Sequence, residues 1–62
     1  MDYEFIYRVG VENQDEHLDV WEYRKDEVEL AIARYDSIDL DIGEYKYIKN
    51  MVTDEILLED FK

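Results

Sequence analysis

Asp41-Ile42-Gly43-Glu44-Tyr45-Lys46-Tyr47-Ile48-Lys49-Asn50-Met51-Val52 is the stretch on which the fold turns. Asp41 followed three residues on by Glu44 resembles a capping box, a reciprocal pairing that satisfies the first free N–H groups of a helix. A helix from there to about Met51 places Tyr45, Ile48 and Val52 on one face. The same residues suit a strand, because Tyr and Ile have strong β preference. The helical reading leads, and the strand reading stays open beside it. Beyond it, Thr53 is placed to cap a short final helix, with Asp54 and Glu55 complementing its dipole. Ile56, Leu57, Leu58 and Phe61 would form the apolar side of that helix.

Upstream the periodicities are cleaner. Residues 2–9 alternate, with Tyr3, Phe5, Tyr7 and Val9 on one face and Glu4, Ile6 and Arg8 on the other. Aromatic and β-branched residues at period two predict a strand. Gly10 and Glu12-Asn13-Gln14-Asp15 read as a turn region. Residues 17–24 form the next strand, with Leu18 and Val20 on one face and Trp21 and Tyr23 on the other. Two strands with a short polar connection predict an antiparallel hairpin. Residues 26–35 predict a helix, with Asp26 as cap and Glu29 three residues later. Val28, Ala31, Ile32 and Tyr35 make its stripe.

The expected fold is therefore α+β in one domain over 1–62. An N-terminal antiparallel β-hairpin packs on a helix, followed by one or two short C-terminal elements. The order is ββαα, or ββαββ if both late segments are strands. The expected core is Phe5, Val20, Val28, Ala31, Ile32 and Ile48.

Composition bounds what such a domain can do. Eighteen acidic residues stand against seven basic ones, a formal net charge of −11 with a pI near 4.2. Yet 47% of the residues are hydrophobic, enough for a core rather than a disordered chain. A domain of this size buries only about 60% of its unfolded surface. Small domains lean on disulfides, metals or self-association, and with no Cys and one His only association and tight packing remain. Self-repulsion among the acids adds strain that salt or a cationic partner relieves. A negative surface is repelled by nucleic acid and anionic lipid, so direct binding to either is not expected. No stretch reaches membrane-spanning length and Met1-Asp2-Tyr3-Glu4 lacks a signal-peptide pattern, so a cytoplasmic protein is expected.

Catalytic chemistry finds little footing. Ser37 and Thr53 are the sole hydroxyl residues besides tyrosine, and Ser37 has no nearby His and no nucleophile-elbow setting. No Gly-rich loop cradles phosphate. His17, among Asp15, Glu16 and Asp19, reads as a solvated turn histidine rather than a general base, since no second catalytic group accompanies it. Asp39-x-Asp41-x-Gly43 has the outline of a calcium loop but lacks its later ligands. No catalytic, metal or cofactor residue is assigned, and no enzyme is expected.

The acids are segregated. Glu12, Asp15, Glu16, Asp19 and Glu22 form one run without a base, and Asp36, Asp39, Asp41 and Glu44 a second. Along a strand, carboxylates two apart stand roughly 7 Å apart, close to the spacing of consecutive phosphates. These nine acids are the expected partner-binding residues, directed at a protein with a basic surface, such as a nucleic-acid-binding enzyme. Size, acidity and lack of catalytic groups resemble those of small virus-encoded inhibitors that mimic nucleic acid against host restriction, repair or CRISPR enzymes. No motif carries the resemblance, so it transfers no residue roles. A rival expectation is a protein-interaction module or structural homodimer built on exposed aromatics, Trp21 and Tyr23 above all. In the homodimer, the first strand would pair with its symmetry mate.

Overall fold

The computed structural model describes residues 5–62, so the predicted strand residues 2–4 lie outside the described part. Strands dominate both halves of the chain: β1 (Tyr7–Glu12), β2 (His17–Tyr23), a 3-10 turn (Lys25–Glu27), α1 (Val28–Ser37), β3 (Tyr45–Asn50) and β4 (Glu55–Phe61). All neighbouring strands pair antiparallel, in the order β2-β1-β3-β4, giving a mixed α+β fold. The helix lies over β1, β2 and β3 on one face of the sheet.

The decisive stretch is a strand, not the expected helix. Asp41 N does donate to Glu44 Oε1 at 2.7 Å, and Glu44 N to Asp41 O at 3.0 Å. That reciprocal pair closes a turn, and Gly43 within it takes φ 90°, a left-handed conformation that a glycine adopts without steric cost. The chain therefore reverses into β3 instead of winding on. β3 then gains ladders on both sides, from β1 and β4, which a solitary helix could not match. The expected final helix is also replaced. Asn50 Oδ1 accepts from Val52 N at 2.9 Å and Thr53 N at 3.2 Å, and Asp54 N donates to Asn50 O at 2.8 Å. Asp54 stands at φ 66°, which Asp tolerates better than most residues. Thr53 thus sits in a β3–β4 turn rather than at a helix start.

Gly10 is also not a turn residue. It lies inside β1, opposite Val20 on one side and Tyr47 on the other. The turn is made by Asn13, whose Oδ1 accepts from Asp15 N and Glu16 N, both at 2.9 Å. The helix start is shifted too: Arg24 N donates to Glu27 Oε1 at 2.9 Å, and α1 opens at Val28 rather than at the predicted Asp26.

Val9, Ala31, Ile48 and Tyr35 form the core, with Tyr7, Trp21, Tyr23 and Ile38 packed around it. Ala31 and Ile48 are where the periodicity placed them. Phe5, Val20 and Ile32 are not in the core; they are 38%, 45% and 40% exposed. Val28 is half-buried. Val20 pairs with Gly10 on the sheet face that has no helix. Phe5 precedes β1 and lies beneath the Arg24 guanidinium, 5.9 Å from its ring centre. Ile32 sits on the flank of α1 rather than on its crest, because the buried line runs through Ala31 and Tyr35. Lys46 closes the helix from below. Its Nζ donates to Tyr35 O at 2.8 Å, which also accepts from Ile38 N at 3.3 Å, and to Ile38 O at 3.1 Å, placing a cation at the helix C-terminus.

Candidate functional site

Topology brings most of the two acidic runs, though not Glu22, to one end of the sheet. His17, Glu12, Tyr45 and Phe61 form one row across all four strands. Beyond that row lie the β1–β2 turn, with Asp15 and Glu16, and the α1–β3 connection, with Asp39, Asp41 and Glu44. The connection is tied to the chain's other end: Gly43 N donates to Lys62 O at 2.8 Å, and Lys62 N to Glu44 O at 3.1 Å. The last turn of α1 adds Asp36, since Lys46 holds that turn just behind the row. Asp15, Glu16, Asp36, Asp39 and Asp41 are all exposed.

Four of the seven bases lie toward the opposite end, beside the acids Glu22, Asp26, Glu27, Asp54 and Glu55. Arg8 and Lys49 pair across β1 and β3, one step from the far row of Tyr23, Tyr7 and Asn50, with Arg24 and Lys25 just past β2. The acidic excess is thus concentrated at the Glu12–Tyr45 end of the sheet, and the opposite end is mixed in charge.

The other predicted residues fall elsewhere. Glu22 lies near the mixed end, its Oε2 3.0 Å from Arg8 Nη2. Asp19 and Glu22 project from opposite faces of β2, because Asp19 pairs with Val11 and Glu22 with Arg8. No strand therefore carries the phosphate-like spacing; turns and a loop gather the acids instead. Glu12 holds His17, Oε2 to Nδ1 at 2.8 Å. Trp21 and Tyr23 are half-buried beneath α1. The Arg34 guanidinium covers Trp21 at 4.8 Å, and Arg34 Nε donates to the Tyr23 hydroxyl at 3.3 Å. Their visible work is packing.

A different aromatic row occupies the face without the helix. Tyr47 lies across Gly10, so close that a Cβ there would meet its ring at 2.4 Å. Tyr45 stacks on Tyr47 with centroids 5.7 Å apart, and Phe61 tilts against Tyr45 at 4.6 Å. Phe61 is 75% exposed. Arg8, Lys49, Glu12, His17 and Ile56 rim a shallow dish around Tyr45 and Tyr47. The signal that could have found this row was Gly10 inside an alternating run, since a strand glycine often marks a close approach.

Two phenols bond to carboxylates. Tyr45 hydroxyl donates to Glu59 Oε2 at 2.7 Å, and Tyr35 hydroxyl to Asp60 Oδ2 at 2.5 Å. Burial, then the bond to Glu59, pushes Tyr45 up to about 12 from 10.0. Burial, then the bond to Asp60, raises Tyr35 further in the same direction. A raised phenol favours the folded state in its protonated form. Stability from both is whole below pH 10, the unfolded value, and is lost as pH climbs through about 12 and beyond. Urea midpoints measured from pH 8 to 12 should hold and then fall, and Tyr45→Phe should flatten part of that fall.

Among the described residues, no group of three or more His, Cys, Asp or Glu is arranged to hold a metal ion. None of their helices is long and apolar enough to cross a membrane. No protein-family model matches the chain, and neither does any curated protein or solved structure.

Proposed function

We propose that this chain is a small, non-enzymatic acidic binding protein that occupies the basic, nucleic-acid-binding surface of an enzyme and blocks it. The class of enzyme it suits is one that processes nucleic acid in host defence, with the chain as a phage- or virus-type inhibitor acting in the cytoplasm. One observation carries the reading: acids far apart in sequence converge on one end of a rigid sheet. Glu12, Asp15, Glu16, Asp39, Asp41 and Glu44, joined by Asp36, present carboxylates from three separate segments. Carboxylates gathered at one end concentrate negative charge, which speeds the encounter with a cationic groove. A second reading rests on the Tyr45–Tyr47–Phe61 row, where the exposed Phe61 and half-buried Tyr45, backed by the buried Tyr47, offer an anchor for protein partners.

Capture from bacterial lysate at low and at about 1 M salt separates the two, because exposed charge pairs are screened there within about 3 Å. A captured enzyme must then release its DNA or RNA when this chain binds. Changing Asp36, Asp39 and Asp41 to Asn lowers the net charge from −11 to −8 without touching the core. That variant should stay folded and bind at least about tenfold more weakly, roughly 0.5 kcal/mol or more per charge. If it inhibits as well as the parent while Phe61→Ala fails, the aromatic reading replaces the acidic one.

A further inference from the structure

Resting on the acidic reading of the site, we infer that Phe61 and Tyr45, flanked by Glu12 and Glu59, form a seat for an arginine side chain of the basic partner. The rings and the acids share one place. Tyr45 pairs with Phe61 of β4 on one side and with Glu12 of β1 on the other, all in the end row of the sheet. Glu59 stands two residues before Phe61, so both point to the same side of the sheet. Its Oε2 accepts from the Tyr45 hydroxyl at 2.7 Å. The Phe61 ring tilts 33° against Tyr45 with centroids 4.6 Å apart. Tyr45 backs the ring, and the rest of Phe61 is open to solvent.

The chain's own cations show what its aromatic rings take. Arg24 lies over Phe5 at 5.9 Å, Arg34 over Trp21 at 4.8 Å, and Lys46 over Tyr35 at 4.4 Å. Among the described residues, none lies over Phe61 or Tyr45. The most exposed aromatic of the described residues is thus without a cation, although carboxylates stand beside it. Arg8 and Lys49, on the same side of the sheet, are two rows away and are held by Glu22 and Asp54 at 3.0 and 2.9 Å. Lys62 follows Phe61, but Glu12, Glu44 and Glu59 outnumber it there.

Charge complementarity selects a cation, since the face of an aromatic ring is negative and the carboxylates add to its field. Shape selects arginine. A guanidinium is planar, so it can stack on Phe61 while its N–H fork reaches a carboxylate at the ring's edge. A lysine ammonium is compact and more strongly hydrated, and it has no plane to stack. Arginine is also a residue with which proteins neutralise phosphates, so a nucleic-acid groove presents it. The acidic end and the aromatic pair then grip one side chain of the partner.

Hexa-arginine and hexalysine carry equal side-chain charge, so comparing them separates stacking from attraction by charge alone. Calorimetry with the intact chain in about 0.1 M NaCl leaves a screening length of about 10 Å. Hexa-arginine should bind about fivefold more tightly than hexalysine, the effect of one partly desolvated cation–π contact. Phe61→Leu should stay folded, because the position is exposed. It should bring hexa-arginine to the hexalysine affinity and leave hexalysine nearly unchanged. Phe61→Trp should keep the preference, because indole is the strongest π partner. The Asp36, Asp39 and Asp41 to Asn variant should weaken both peptides alike. Equal affinity for the two peptides overturns the inference, as does a preference that survives Phe61→Leu. Failure of either peptide to bind at about 1 mM overturns it too. A chain that displaces nucleic acid from a captured enzyme without preferring arginine loses the seat and keeps the proposed function. One that prefers arginine but frees no nucleic acid from any captured enzyme keeps the seat and loses that function.

Discussion

Ile48→Ala is expected to lower the melting midpoint by more than 10 °C and to leave much of the chain unfolded at 37 °C. Ile48 is 1% exposed and sits between Val9 of β1 and Leu58 of β4, beneath Ala31 and Tyr35 of the helix. Deleting its outer carbons removes transfer energy and leaves a cavity, together worth about 2–5 kcal/mol. A chain of this length has a total stability of only about 3–9 kcal/mol. Each kcal/mol lost moves the midpoint of a domain this small by about 4–8 °C. Collapse of neighbours into the cavity is hampered because Val9 and Ala31 are themselves fully packed. Ile48→Val should cost only about 0.5–1.5 kcal/mol, so the pair forms a graded series by thermal circular dichroism. An Ala variant melting within a few degrees of the parent would mean that the helix–sheet layer is not what holds the domain.

Gly10→Ala is expected to cost about 1–2 kcal/mol and to free the Tyr47 ring from the sheet. Ordinarily Ala is the better residue in a strand, because Gly loses more backbone entropy on folding and adds no side chain to pack. Here the new Cβ would lie 2.4 Å from Tyr47 Cζ and hydroxyl. The backbone of a central strand cannot yield, so the ring must swing away. Tyr47 is 8% exposed, and losing that cover forfeits much of the burial energy of an aromatic side chain, about 1.5–3 kcal/mol before the Ala gain is subtracted. Its stack with Tyr45 goes with it. Near-ultraviolet dichroism should lose tyrosine signal, and Gly10→Ala should become nearly neutral or stabilising in a Tyr47→Leu background. Full additivity of the two changes would show that the ring does not depend on Gly10.

The same residue explains a misreading of the chain. Gly10 beside a polar run looks like a turn, but its meaning depends on Tyr47, thirty-seven positions later and one strand across. The Asp41–Glu44 pair is a second case. Its hydrogen bonds form as the local pattern implies, yet a turn and a helix start share that chemistry at short range. What separates them is the ladder that β3 makes with β1 and β4, a non-local energy. Trp21 and Tyr23 illustrate the same limit for function. A bulky aromatic reads equally as core or as anchor until the position of α1 is known, and Arg34 and the helix cover both.

By itself the sequence determined the hairpin, the helix and a strong acidic excess. These rest on periodicity and residue chemistry, which act within a few positions of the chain. The tertiary structure decided that the second half is strand, that most of the two acidic runs share one end, and that Tyr45, Tyr47 and Phe61 form the open-face row. It also decided that β4 rather than β1 is an edge. Each of those depends on which strand lies beside which, and the free energy of that pairing belongs to both partners, so neither segment displays it alone.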